Sequence, residues 1–110
     1  MARYVLVVHA QHVEGREEEF TEWYDNVHIP AVLEFDGFVS AQRYRLVDAP
    51  TPRNEDRKTM VIYEIETDDL EAMSARARGA KLPVTEAIQQ SLSTVAHFAP
   101  VGDVQFAPKK

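Results

Sequence analysis

Arg3-Tyr4-Val5-Leu6-Val7-Val8-His9-Ala10, followed after a polar break by Glu17-Glu18-Glu19-Phe20-Thr21-Glu22-Trp23-Tyr24-Asp25-Asn26-Val27-His28-Ile29-Pro30-Ala31, is the stretch that decides the fold. Its first part is rich in β-branched residues and continuously apolar in the middle, which predicts a central strand buried on both faces. From Gly15 the period changes. Phe20, Trp23, Tyr24, Val27 and Ala31 fall at spacings of three and four, and Glu17, Glu18 and Glu19 load the first turn, where carboxylates suit the positive end of a helix dipole. A strand therefore hands over to an amphipathic helix. Pro30 disfavours α geometry at Ile29 and lacks an N–H, so the regular helix is expected to end or kink near His28, with Pro30 opening a further short turn. Asp36-Gly37 closes the segment, with glycine supplying the left-handed conformation.

Phe38 to Val47 alternates and predicts a second strand, with Phe38, Ser40, Gln42, Tyr44 and Leu46 on one face. Asp48 to Arg57, containing Pro50, Pro52 and Asn54, is a turn-rich loop leading to a third strand at Lys58–Thr67. Asp68-Asp69 caps a helix running to about Arg78, where Gly79 closes it. A short helix from Pro83 to about Gln90, a last strand from Ser91 to about Ala99 and an irregular tail complete the chain. The order βαββαβ predicts one ferredoxin-like α+β domain over residues 1–110: a four-stranded antiparallel sheet with its helices on one face. The other face is left apolar and uncovered, which predicts a homodimer through the sheet faces that closes a pseudo-barrel.

A chain of 110 residues, 45% hydrophobic and 27% charged, is sized and composed for one globular core. Its formal charge of −6 disfavours nucleic acid, whose phosphates require clustered Lys and Arg. With no Cys, thiolate catalysis, disulfides and iron–sulfur ligation are excluded. The apolar run of the first strand is too short for a signal sequence and no stretch reaches membrane-spanning length, so a cytoplasmic protein without a membrane partner is expected.

His28 is the foremost chemical candidate. It follows Tyr24 by four residues and so lies on or beside the helix's inward stripe. Burial would lower its pKa and a nearby helix end would raise it, a balance suited to acid–base work near neutrality. The same position suits a core histidine satisfied by a carbonyl, so both readings stand open. Tyr24, Tyr44 and Tyr63 can donate to an oxyanion, and Arg43 or Arg45 can hold a carboxylate. His9 and His97 belong to neighbouring strands of undetermined register, and two histidines without a placed carboxylate make no metal site. Glycine-rich phosphate loops, dinucleotide fingerprints, serine elbows and zinc-protease helices are all absent from the sequence. No metal and no cofactor is expected, which leaves proton transfer.

The run Phe20–Pro30, with Phe35-Asp36-Gly37-Phe38 and Ala41-Gln42-Arg43-Tyr44 after it, resembles the EthD-like family of the dimeric α/β-barrel superfamily. The likeness covers about thirty positions, mainly in the first half. It implies a ferredoxin-like protomer, dimerisation through the sheets, and a hydrophobic cavity into which the motif histidine, His28 here, points. The superfamily includes cofactor-free cyclases, dehydratases, lyases and isomerases, and also monooxygenases and haem-degrading enzymes. The leading expectation is a lyase, isomerase or cyclase acting on a small, largely apolar carbonyl compound of aromatic, polyketide-like or lactone type. In it His28 moves the proton, Tyr63 or Arg43 steadies the oxyanion, and Trp23, Tyr24, Tyr44, His9 and His97 line the substrate site. A cofactor-free monooxygenase and a non-catalytic carrier of a hydrophobic metabolite are the alternatives.

Overall fold

The apolar segment Ala2–Ala10 forms strand β1, which has an antiparallel neighbour on each side. Both of its edges are hydrogen-bonded, as a near-continuous apolar strand requires. The computed structural model describes residues 1–53 and 55–109. After β1 come α1 (Glu17–Trp23), a π-helical turn (Tyr24–His28) and α2 (Ile29–Val32), then β2 (Phe38–Arg45), β3 (Thr59–Thr67), α3 (Leu70–Gly79) and β4 (Thr94–Phe98). Asn54, read above as part of the turn-rich loop, lies outside the described residues. The strands stand in the order β2-β3-β1-β4, all antiparallel, which is the expected ferredoxin-like arrangement.

Register sorts the side chains between two faces. Leu6 lies between Tyr63 and His97, and Val8 between Val61 and Val95, so these residues share a face. Phe20 and Tyr24 from the helical segment pack on that face against Val61 and Tyr63, all nearly inaccessible to solvent. Val5 and Val7, with Ile62 and Met60, point the other way, where no element of the chain covers them fully.

Two expectations are corrected and one is made specific. The regular α-helix ends at Trp23, and a π turn carries the chain to His28, where the Ile29 N–H reaches back to the Tyr24 carbonyl and the short α2 follows, as the expected end or kink with a further turn at Pro30 requires. Pro30 then falls in the first turn of α2, where a missing N–H costs nothing. In β2 the pairing register shifts between Phe38 and Ser40, so Phe38 joins Ala41 and Arg43 on the helix-covered face, 5.6 Å ring to ring from Tyr63. The helix expected from Pro83 to Gln90 is replaced by an irregular path, with one 3₁₀ turn at Gln90–Leu92. That path is held by Val13 N–H to the Ala87 carbonyl at 2.6 Å and Gln89 N–H to the Gln11 carbonyl at 2.8 Å. Pairing with the strip after β1 satisfies its backbone without a helix.

Asp69 caps α3 as expected, accepting from the Ala72 N–H at 3.0 Å. Gly37 has φ of +101°, and a Cβ placed there would meet the Met73 sulfur at 2.6 Å. Gly37→Ala should therefore lose about 1–3 kcal/mol in urea unfolding. An unchanged unfolding midpoint would contradict this packing of α3 on the turn before β2.

Candidate active site

The π turn directs the aromatic side chains. The Trp23 and His28 rings stack with centroids 4.5 Å apart and planes 19° from parallel, while Tyr24 meets the imidazole edge-on at 5.4 Å and 87°. The indole is itself fixed, because Trp23 Nε1 donates to the Pro83 carbonyl at 3.2 Å. His28 thus lies flat on a ring anchored to the segment between α3 and β4. Beside these rings is a cavity of about 380 Å³, within the range of small-molecule sites. Leu6, Val8 and Tyr63 supply its sheet side, Met73 and Ala77 belong to α3, and Leu82 and Ile88 come from the irregular segment.

His28 is half-buried, and burial lowers its pKa below the ordinary histidine value. The opposing effect expected from a helix end has gone, because the backbone continues into α2 and leaves no carbonyl terminus beside the imidazole. His28 is therefore neutral at pH 7. Its Nδ1 is buried and has no hydrogen-bond partner among the described residues. An orphaned buried N–H is rarer than an orphaned acceptor, so the proton belongs on Nε2 and Nδ1 keeps its lone pair. With the proton on Nε2, His28 has a hydrogen bond to offer from a ring that lines the cavity. Burial also pushes the Tyr24 hydroxyl up to about 12, with the Arg43 charge opposing, and holds Tyr63 well above the ordinary tyrosine value. Both hydroxyls stay protonated.

Among the expected site residues, Trp23, Tyr24, His28, Tyr63 and His97 meet at this cavity. Arg43 does not. Its guanidinium grips Asp25 through two bonds of 2.7 and 2.8 Å and lines a separate cleft with His12 and Glu17. That hydrogen bonding also holds the Asp25 carboxyl below its usual value. Tyr44 and His9 stand on the opposite sheet face, His9 opposite Met60 and His97 opposite Leu6, so the two strand histidines point apart. The sequence reading missed Met73, Leu82 and Ile88 as cavity residues, and Ser93, whose buried hydroxyl also lacks a partner among the described residues. Ile88 lies where a short helix was expected, Leu82 just before it, and Ser93 where the last strand was expected to begin. No group of three potential metal ligands converges among the described residues, and no helix there is long and apolar enough to cross a membrane.

No family model and no curated protein matches the chain. Solved structures do. A putative monooxygenase from Shewanella loihica PV-4 superposes with a TM-score of 0.62 at 13% identity, covering 93% of this chain and 97% of that one. A haem-degrading protein from Mycobacterium tuberculosis, in a haem-free structure, gives 0.58 at 23% identity over 96% and 100% of the two chains. An EthD family protein from Bacillus halodurans C-125 gives 0.56 at 19% over 92% and 100%. The last agrees with the resemblance carried by Phe20–Pro30, and at these identities what is shown is the shared fold. The expectation of a lyase, isomerase or cyclase is corrected here, since the activities attached to these similar structures are monooxygenase and haem degradation.

Trp23 is the chain's one tryptophan, so its emission reports on the imidazole stacked on it. Its fluorescence should change with pH in one step centred below 6.5, the ordinary histidine value, and His28→Gln should remove the step. A midpoint at or above 6.5 would contradict a desolvated imidazole. Stability follows the same sign. Below pH 6.5 the unfolded chain takes up the proton more readily than the native one, so unfolding free energy should fall as pH drops through that window, and less so in the His28→Gln protein.

Proposed function

We propose that the protein is a cofactor-independent monooxygenase that binds a flat, largely apolar phenol or enol in the cavity beside His28. The observation that carries this reading is the neutral imidazole, fixed on Trp23 in an apolar cavity whose tyrosine hydroxyls also remain protonated. Preorganised neutral donors that line an apolar cavity stabilise an oxyanion. They favour the phenolate over the phenol, and a phenolate is electron-rich enough to reduce oxygen directly. For a naphthol-type substrate the hydroxyl proton goes to water and one oxygen atom bonds to a ring carbon that gives up its hydrogen. The other oxygen leaves as water, so one naphthol and one O2 give one quinone and one water. The shared fold with a putative monooxygenase supports this choice of chemistry.

Haem is the other occupant that the similar structures suggest. A histidine that held its iron would donate its second ring N–H to a carbonyl, a carboxylate or water. Nδ1 of His28 has no such acceptor among the described residues. The residues present therefore do not fit a His28-ligated haem.

We also propose that two copies pair through the uncovered sheet faces. Tyr44 and Phe98 are 46% and 54% exposed there, beside the half-buried Val5, Val7 and Ile62. Ile62→Glu should convert the dimer to monomer in sedimentation. An undiminished dimer would contradict that pairing.

An oxygen electrode tests the activity. With a dihydroxynaphthalene, uptake should match quinone formation one to one without peroxide. Loss of a preorganised donor costs about 10²–10³-fold in turnover, so His28→Ala should fall by that amount while His28→Gln, which keeps an N–H, recovers part of it. Quinone formed with an equivalent of peroxide and no inserted oxygen atom, or equal loss in both variants, would overturn the reading.

A further inference from the structure

We infer that residues 99–109 form an arm that packs on a second copy of this chain. After β4 ends at Phe98, no described residue joins a helix or strand. Val101, Val104 and Phe106 in that segment are 97%, 73% and 87% exposed. Three large apolar side chains held in water within six positions are a cost that an isolated chain would not retain, and such clusters mark contact surfaces. The radius of gyration, 15.6 Å, exceeds the roughly 13 Å expected for a folded chain of this length, as a projecting arm requires.

The receiving surface lies on the uncovered sheet face. A groove of about 710 Å³ opens there, bordered by His9, Tyr44, Val47, Pro52 and Met60. It sits at the far end of the sheet from the arm's base, since β4 departs where Phe98 pairs with Val5, and the groove begins where His9 pairs with Thr94. Eleven extended residues reach roughly 36 Å, enough to span the sheet. In an extended chain Val104 and Phe106 point to the same side and can enter the groove together. A two-fold axis running across the strands would set the arm's base in one copy over the groove of the other.

Area favours a second copy as the occupant. Four strands spaced about 4.8 Å apart, averaging about eight residues of 3.4 Å, give a flat footprint near 500 Å². A stable interface buries about 800 Å² per partner. Paired sheets alone fall short, and one phenylalanine adds roughly 150–250 Å². The inference rests on the proposed sheet pairing, and its test separates the two.

The chain contains no Cys, so engineered thiols report without background. Phe106→Cys and Val47→Cys, made singly and mixed under mild oxidation, should give a mixed disulfide identified by mass, and the double variant should cross-link between copies. Val101→Ser, Val104→Ser and Phe106→Ser combined should weaken the dimer tenfold or more in sedimentation. An intrachain disulfide at high dilution, or no mixed disulfide, overturns the arm. If the triple serine variant keeps the parent's dissociation constant while Ile62→Glu is monomeric, sheet pairing stands and the arm falls. If Ile62→Glu still dimerises, sheet pairing falls and takes with it the arm's seat on that face.

Discussion

β1 is hydrogen-bonded along both edges, to β3 and to β4, and its register against them cannot slip by one residue without turning every side chain to the other face. The site depends on that constraint. Leu6 between Tyr63 and His97, and Val8 between Val61 and Val95, form the sheet side of the cavity. One position on, His9 between Met60 and Thr94 belongs to the opposite surface, where copies of the chain are proposed to meet. Neighbouring strands thus carry His9 and His97 to separate tasks. The buried side chains of Val61, Tyr63 and Ile65 lock the pairing, since exposing any of them would forfeit about 1.5–3 kcal/mol.

Above that floor, a local irregularity sets the chemistry. Pro30 cannot donate to the helix, and the π turn before it lets the chain pass without breaking. His28 consequently lies within a continuous helical segment instead of at a helix end. Two opposing effects on its pKa were expected, and only desolvation survives. Neutrality, the flat stack on Trp23 and a buried unpartnered Nδ1 together favour donation from Nε2 over proton abstraction.

Much of this was legible in the sequence because periodicity reports burial directly. The strand at the start of the chain, the capped α3, the ferredoxin-like order and the inward placement of Trp23, Tyr24 and His28 all follow from apolar spacing and turn residues. What escaped has a physical pattern. The shifted register at Phe38 is a pairing property that no single strand encodes, and it moved Phe38 into the core beside Tyr63. Arg43 looked available for an oxyanion until folding brought Asp25 within 2.7 Å from a distant element. Residues 83–90 have apolar spacing suited to a helix, yet long-range backbone bonds to Gln11 and Val13 override that weak preference. Reaction class is not written in the spacing of one histidine: the lyase, isomerase or cyclase expectation gave way to the monooxygenase and haem-degrading activities of structures that share the fold.

The donor role of His28 is tested most directly by the nitrogen chemical shifts of its ring, read through their couplings to the ring protons in ¹⁵N-labelled protein at pH 7. A pyridine-like Nδ1 with a pyrrole-like, protonated Nε2 is the expected result. A protonated Nδ1, either as the other tautomer or as imidazolium, would contradict it.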